Sequence, residues 1–335
     1  MAFNLFIYSL VSFLTLFSIS KFSYNYKFLD VPNKRKIHSN PVAYTGGLAL
    51  CCIYIFSIYL FDFSNQKLDL ILSIAFLIGI VGFIDDKYDL NTGGKLSLQI
   101  FPIIYLILQE SLTLNQIGDY DYFKVELGTF SIPFSLLCVI FLINAFNYFD
   151  GLDGTLSFSS VSVLCILIFL TLNNNTHLFL IIIMMPILIF LCFNFSIFNL
   201  PKLFLGDSGS LLLGFILSFV LILYENQKII HPILLAWSVA IFVYEFLSIN
   251  LERIINKKNL FKAGQDHLHH LLLKKTKSIF LTNSLLFITN IILFIFGYTV
   301  FNFISPIASL TLFITFFIPF YALRNANFIK KFNKI

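Results

Sequence analysis

Long apolar runs separated by short polar turns give this chain its pattern. Runs long enough to cross about 30 Å of hydrocarbon at about 1.5 Å per residue fall at roughly 3–20, 46–61, 68–84, 96–109, 131–148, 155–172, 177–198, 208–224, 232–250, 279–300 and 303–323. They predict an all-α polytopic membrane protein of about eleven transmembrane helices, a single unit over 1–335. The first run is expected to be retained: no basic stretch precedes it and no small-residue cleavage site follows. An odd number of spans places the termini on opposite sides. With the N-terminus out and the C-terminus cytosolic, 19 of the 22 lysines and arginines lie inside, leaving Lys67, Lys124 and Lys228 outside. Basic residues concentrate on cytosolic loops, so this is the predicted orientation.

Composition narrows the class. Hydrophobic residues make up 58% of the chain and charged residues 12%, which excludes a large soluble domain. The longest polar interval, about 251–278, is too short for a core of its own. Five cysteines, an odd number, all fall in apolar runs and read as small core residues, not a disulfide framework. The basic loops face a lipid bilayer, and no nucleic-acid partner is implied.

The polar positions matter more than their number. In this orientation every cluster falls on one side, in cytosolic loops near 21–45, 85–95, 149–154, 199–207 and 251–278. A carboxylate near the hydrocarbon costs about 2.5–3.5 kcal/mol, so its presence there is a functional signal. Asp85, Asp86, Asp150, Asp153 and Asp207 stand on short turns between apolar runs. They are hard oxygen ligands suited to Mg²⁺, with Mn²⁺ as an alternative. Lys34, Arg35, Lys36, His38, Arg253, His267, His269 and His270 are donors suited to phosphate oxygens. Carboxylates, a divalent ion and cationic donors around one pocket suit phosphoryl transfer, where catalysis is mostly positioning and charge neutralisation.

Five segments carry a resemblance. They are Asp30-x-Pro32-Asn33-x-Arg35-Lys36-x-His38 with Gly46-Gly47; Gly82-Phe83-Ile84-Asp85-Asp86; Asn144-Ala145-Phe146-Asn147-x-x-Asp150-Gly151-Leu152-Asp153-Gly154; Phe204-Leu205-Gly206-Asp207-Ser208-Gly209-Ser210; and His267-Leu268-His269-His270. In content and order the chain resembles the polyprenyl-phosphate N-acetylhexosamine-1-phosphate transferases, among them the undecaprenyl-phosphate GlcNAc-1-phosphate transferases. That family is similar to the phospho-MurNAc-pentapeptide translocases of cell-wall synthesis. The resemblance implies attack of a polyprenyl phosphate on a UDP-N-acetylhexosamine, release of UMP, and a bacterial plasma-membrane enzyme feeding envelope glycan assembly. It also implies roles: Asp207 and Asp86 for Mg²⁺; Asp85, Asp86, Asp150 and His269 as catalytic residues, one of the paired aspartates receiving the lipid phosphate's proton. Asn147 and Asp153 would line the nucleotide end with Phe204 on the uracil, while Arg35, Lys36, His38, Arg253, His267 and His270 would hold diphosphate and sugar. Two departures stand out: Ala43 where a proline is common, and Gly264-Gln265 where an Asp-Arg pair is common, with Asp266 the substitute. The sugar and oligomeric state stay open, a homodimer among the options.

Other readings remain alongside. A secondary transporter also carries intramembrane carboxylates, though near mid-bilayer and often in repeated halves. An intramembrane aspartyl protease would use two aspartates. Asp207 could act as an N-cap for the run that follows it. Glu245, inside the ninth run, needs a partner or a wet cavity, and a groove-facing role is favoured over a buried ion pair.

Overall fold

The computed structural model describes residues 1–32, 40–63, 65–120, 122–171, 176–259, 264 and 266–325. In chain order they form α1 (Ala2–Tyr26), β1 (Leu29–Asp30), β2 (Val42–Ala43), α2 (Gly46–Leu60), α3 (Gln66–Tyr88), α4 (Thr92–Gln109), β3 (Gln116–Asp119) and β4 (Lys124–Glu126). There follow α5 (Ser131–Phe149), α6 (Thr155–Leu170), α7 (His177–Asn194), α8 (Gly206–Asn226), α9 (Pro232–Ser238), α10 (Ala240–Ile255), α11 (Leu268–Thr276), α12 (Ile279–Phe303) and α13 (Pro306–Arg324). Two antiparallel hairpins, β1 with β2 and β3 with β4, qualify the all-α expectation.

Helices stand at each of the predicted apolar runs, but length and apolarity support a smaller count of spans. Among the described residues seven helices are long and apolar enough to cross a membrane, or eight if α9 and α10 form one span. Both α2 and α6 are shorter, at 15 and 16 residues.

The ninth run departs from expectation most clearly: the chain bends by 71° between α9 and α10. Neither proline nor glycine sits at the bend. Instead Asn290 of α12 inserts its amide, accepting from Ile241 N at 3.3 Å and donating to the Ser238 carbonyl at 3.0 Å. A side chain inserted into the helical ladder is a recognised cause of a kink, and here it also satisfies the groups the break exposes.

The bundle is centred on α8, of which 89% of the apolar window is buried, against 6% for α13. Helices α3, α5 and α2 pack around it. The approach is close because glycines face it: a Cβ on Gly82 would lie 2.5 Å from the Asp207 carbonyl, and one on Gly47 would overlap Gly209 and Ser208. This packing brings the end of α3 to the start of α8, where the acidic motifs lie.

Candidate active site

The site begins with how α8 starts. Leu203 bridges Ala43 of β2, Phe204 N donates to the Ala43 carbonyl at 2.7 Å, and Gly46 N and Gly47 N donate to the Phe204 and Leu205 carbonyls at 2.9 and 2.8 Å. Gly206 then turns the chain at φ +73°, where a Cβ would meet the Tyr44 carbonyl at 2.5 Å and Asp86 Oδ2 at 2.7 Å. Asp207 follows on the first turn of α8. The cap expected from Asp207 comes from another helix: Asp86 accepts from Asp207 N through Oδ1 at 2.9 Å and from Ser208 N through Oδ2 at 3.2 Å. Two orphan donors of α8 are thereby satisfied by a carboxylate that also favours the positive end of the helix.

The neighbouring aspartate points elsewhere. Asp85 accepts from Leu90 N at 2.9 Å through Oδ1, while Oδ2 lies 2.6 Å from Lys95 Nζ. The same ammonium lies 2.6 Å from Asp207 Oδ2. On its other side Asp207 Oδ1 accepts from Asn147 Nδ2 at 2.8 Å, and Asn147 also donates to Ser210 Oγ at 2.8 Å. Helices α3, α4, α5 and α8 thus each contribute one group to a carboxylate–ammonium–carboxylate–amide chain. Lys95 is the member that sequence reasoning missed, having counted it only as a basic loop residue. Its place directly after an acidic turn and a glycine-rich helix start was the available signal.

Asp150 follows the last turn of α5. Burial, with the charges of Asp207 and Asp153 adding to it, pushes its carboxyl up to about 8. Asp153 stands apart from the chain above: its Oδ2 pairs with Lys202 Nζ at 2.6 Å, and its carbonyl accepts from Asn283 Nδ2 at 2.7 Å. Lys202 also lies 5.4 Å from the centroid of the half-buried Phe204 ring, so these three form a second group at the start of α8. Lys202 too was read only as a basic loop residue.

The histidines form a third group. His267 and His269 stack in parallel at 5.4 Å, Tyr148 meets His267 edge-on at 5.1 Å, and His270 lies 4.3 Å from His269. Gly151 makes room for His269, whose ring a Cβ there would overlap. The histidine helix is thereby seated on the Asp150-Gly151 turn. Burial pushes His267 down to about 4 and His269 and His270 below the usual imidazole range, so these rings are neutral at pH 7. His267 Nδ1 and His269 Nε2 are buried without a hydrogen-bond partner. Buried polar atoms of that kind call for a ligand or water.

Arg253 is buried and forks onto Asp266, at 3.3 Å from Nε and 3.1 Å from Nη2, with its guanidinium 5.6 Å from the Tyr148 ring. Asp266, expected as the substitute acidic residue of this loop, is therefore what holds Arg253. Glu245 corrects the groove-facing expectation: it is 1% exposed and pairs with Arg324 Nε at 2.9 Å. Arg35, Lys36 and His38 lie outside the described residues.

Asp207, Asp85 and Asn147 offer oxygen donors of the type a hard divalent cation takes, and Mg²⁺ is usually held by only one or two carboxylates plus water and substrate phosphate. The Lys95 ammonium bridging Asp85 and Asp207 marks a position where positive charge is stabilised from both sides. The residues present therefore fit such an ion, although no group of three or more His, Cys, Asp or Glu side chains converges among the described residues.

A family model described as glycosyl transferase family 4 matches residues 68–225, the segment that holds α3 through α8. An undecaprenyl-phosphate α-N-acetylglucosaminyl 1-phosphate transferase of Yersinia pestis is 27% identical over 97% of this chain and 93% of its own length. The protein of that name from Escherichia coli O157:H7 is 28% identical over 78% of this chain and 73% of its own. A probable undecaprenyl-phosphate N-acetylglucosaminyl 1-phosphate transferase of Bacillus subtilis is 28% identical over 73% of this chain and 69% of its own. Seven or eight apolar helices and these matches together make the chain similar to multi-pass membrane glycosyl transferases. The resemblance to the polyprenyl-phosphate N-acetylhexosamine-1-phosphate transferases, first read from five motifs, is borne out by these matches.

Proposed function

We propose that the chain transfers an N-acetylhexosamine 1-phosphate from its UDP derivative to a polyprenyl phosphate, such as undecaprenyl phosphate, at the cytosolic face of a bacterial plasma membrane. The observation that carries this reading is the chain Asp85–Lys95–Asp207–Asn147, which gathers opposed charges at the ends of four helices. The names of the relatives support the same substrates.

In this reading an oxygen of the lipid phosphate forms a bond to the β-phosphorus of the UDP-sugar. The bond from that phosphorus to the bridging oxygen breaks, and UMP leaves. One diphosphate replaces another, so the step needs no further energy source. Asp85 takes the proton of a singly protonated lipid phosphate, and Lys95 balances the charge arriving between Asp85 and Asp207. Asp207, with Asn147 fixing its orientation, would hold Mg²⁺, which when bound supplies charge neutralisation at the diphosphate. Asp86 contributes by holding Asp207 on the first turn of α8, since both its oxygens serve backbone N–H groups. Lys202, Asp153 and Phe204 receive the nucleotide. The neutral imidazoles of His267 and His269 meet phosphate or sugar oxygens as hydrogen-bonding groups without net charge. An ammonium between Asp85 and Asp207 argues against the shared-proton carboxylate pair that an aspartyl protease requires.

The test uses purified protein with Mg²⁺ and polyprenyl phosphate, following exchange of labelled UMP into a panel of UDP-sugars. Asp207→Asn and Asp85→Asn are expected to abolish exchange with thermal unfolding little changed, because Asp86 caps α8 through backbone groups that the first substitution leaves in place. Full exchange in Asp207→Asn would overturn the assignment.

A further inference from the structure

The most peripheral helix carries one of the most deeply buried cations. In α13 only Ser309 and Arg324 are buried. A cation at the end of a lipid-facing helix ordinarily extends toward the headgroups. Arg324 turns inward instead, with its side chain 1% exposed. Nε donates to Glu245 Oε2 at 2.9 Å, Nη1 to Glu252 Oε2 at 2.6 Å, and Nη2 to the Asp266 carbonyl at 2.5 Å. A planar fork with several fixed donors suits this task better than a point charge.

What these bonds hold is the start of the histidine helix. The Asp266 carbonyl is taken by Arg324 and the Asp266 carboxylate by Arg253, while Leu268 N, at the first position of α11, donates to Glu245 Oε1 at 2.7 Å. The residues on either side of His267 are therefore fixed, and His269 follows one position later. Farther along α13, Ser309 Oγ accepts from Trp237 Nε1 at 3.0 Å, and the Phe313 carbonyl accepts from Tyr244 OH at 2.7 Å. Trp237 belongs to α9 and Tyr244 to α10. From Ser309 to Arg324, roughly 22 Å of helix, α13 lies as a splint across the 71° bend.

We propose that Arg324 is a positioning residue: through Glu245 and the Asp266 carbonyl it sets where His267 and His269 stand against the Asp150-Gly151 turn. Its consequence for rate rests on the transfer reading above; its consequence for placement does not. A displacement of about 1 Å at a reacting centre can cost about 10²-fold in rate, which is the scale expected when Arg324 is neutralised.

The experiment uses the full chain in detergent, with Arg324→Met, and Arg324→Lys as a milder variant should the first fail to fold. Amide hydrogen exchange is compared in peptides covering 267–273 and 206–214. Faster exchange is expected in the first, where opening becomes local, and no change in the second. In the kinetic arm Arg324→Met lowers kcat about 10²-fold. It adds little loss in a His269→Ala background and its full loss in a Lys202→Ala background, since residues acting as a unit are not additive. Unchanged exchange at 267–273, or equal further loss in both backgrounds, overturns the proposal. A wild-type chain that transfers nothing from any UDP-sugar defeats the transfer reading alone, because the exchange measurement still decides the placement.

Discussion

His267 lies between Tyr148 and His269, and its burial gives the site a dependence on pH. The folded ring titrates at about 4 against 6.5 for an unperturbed histidine. Between those values the unfolded chain binds a proton that the folded chain does not. Stability is therefore fully present above pH 6.5, falls as pH drops through the window, and levels off below about 4. Melting temperature measured against pH should show this slope, and His267→Gln should flatten it; identical slopes would show that the ring does not titrate as the burial implies. The paired aspartates mark the limit of sequence reading at this scale. Residue type and position at an apolar boundary identified Asp85 and Asp86 together, but only the packing of α3 on α8 separates them, one facing Lys95 and the other two backbone amides. Lys95 was overlooked for a related reason: a lysine at the edge of an apolar run is most simply explained as a topological charge.

At the level of helices, hydropathy located every apolar run at which a helix forms, because 58% hydrophobic content leaves little room for other patterns. The bend between α9 and α10 was invisible, since its cause, Asn290, arrives from α12 about fifty positions later. Local sequence there reads as continuous helix. Replacing Asn290 by leucine would leave the Ser238 carbonyl and the Ile241 N–H buried without the amide that meets them, while Ser162 Oγ, which Asn290 also meets at 2.9 Å, keeps its bond to the Ser159 carbonyl. Each such group costs about 1–3 kcal/mol, so a drop of several degrees in melting temperature is expected in detergent. A melting temperature equal to wild type would show that the bend does not depend on this amide. Glu245 belongs to the same lesson: its partner Arg324 lies 79 positions away, and no local rule pairs them.

For the molecule as a whole, the acidic turns and the histidine helix gather at one end of the bundle, while Glu225 and the β3–β4 hairpin meet at another site, where Glu225 accepts from Gln116 N at 3.3 Å. The proposed orientation, argued from the distribution of lysines and arginines, puts the first end in the cytosol. In a chain freed of its five cysteines, a single cysteine at Tyr122, 89% exposed, should react with an impermeant maleimide on intact cells. One at Tyr88, 65% exposed, should react only after permeabilisation. The reverse pattern would invert the proposed orientation. Motif order and the position of the carboxylates at apolar boundaries made their gathering at one end legible, whereas the routes by which the distant motifs meet depend on side chains from four different helices.

Arg324 has a consequence for biogenesis. The carboxylate cluster is complete once residues 85–207 have been made, but the histidines lack their support until the thirteenth helix has entered the bilayer. Synthesis proceeds from the N-terminus, so the two halves of the site mature at different moments. A ribosome that stalls short of Arg324 would therefore release a chain with its acidic centre assembled and its histidines unheld.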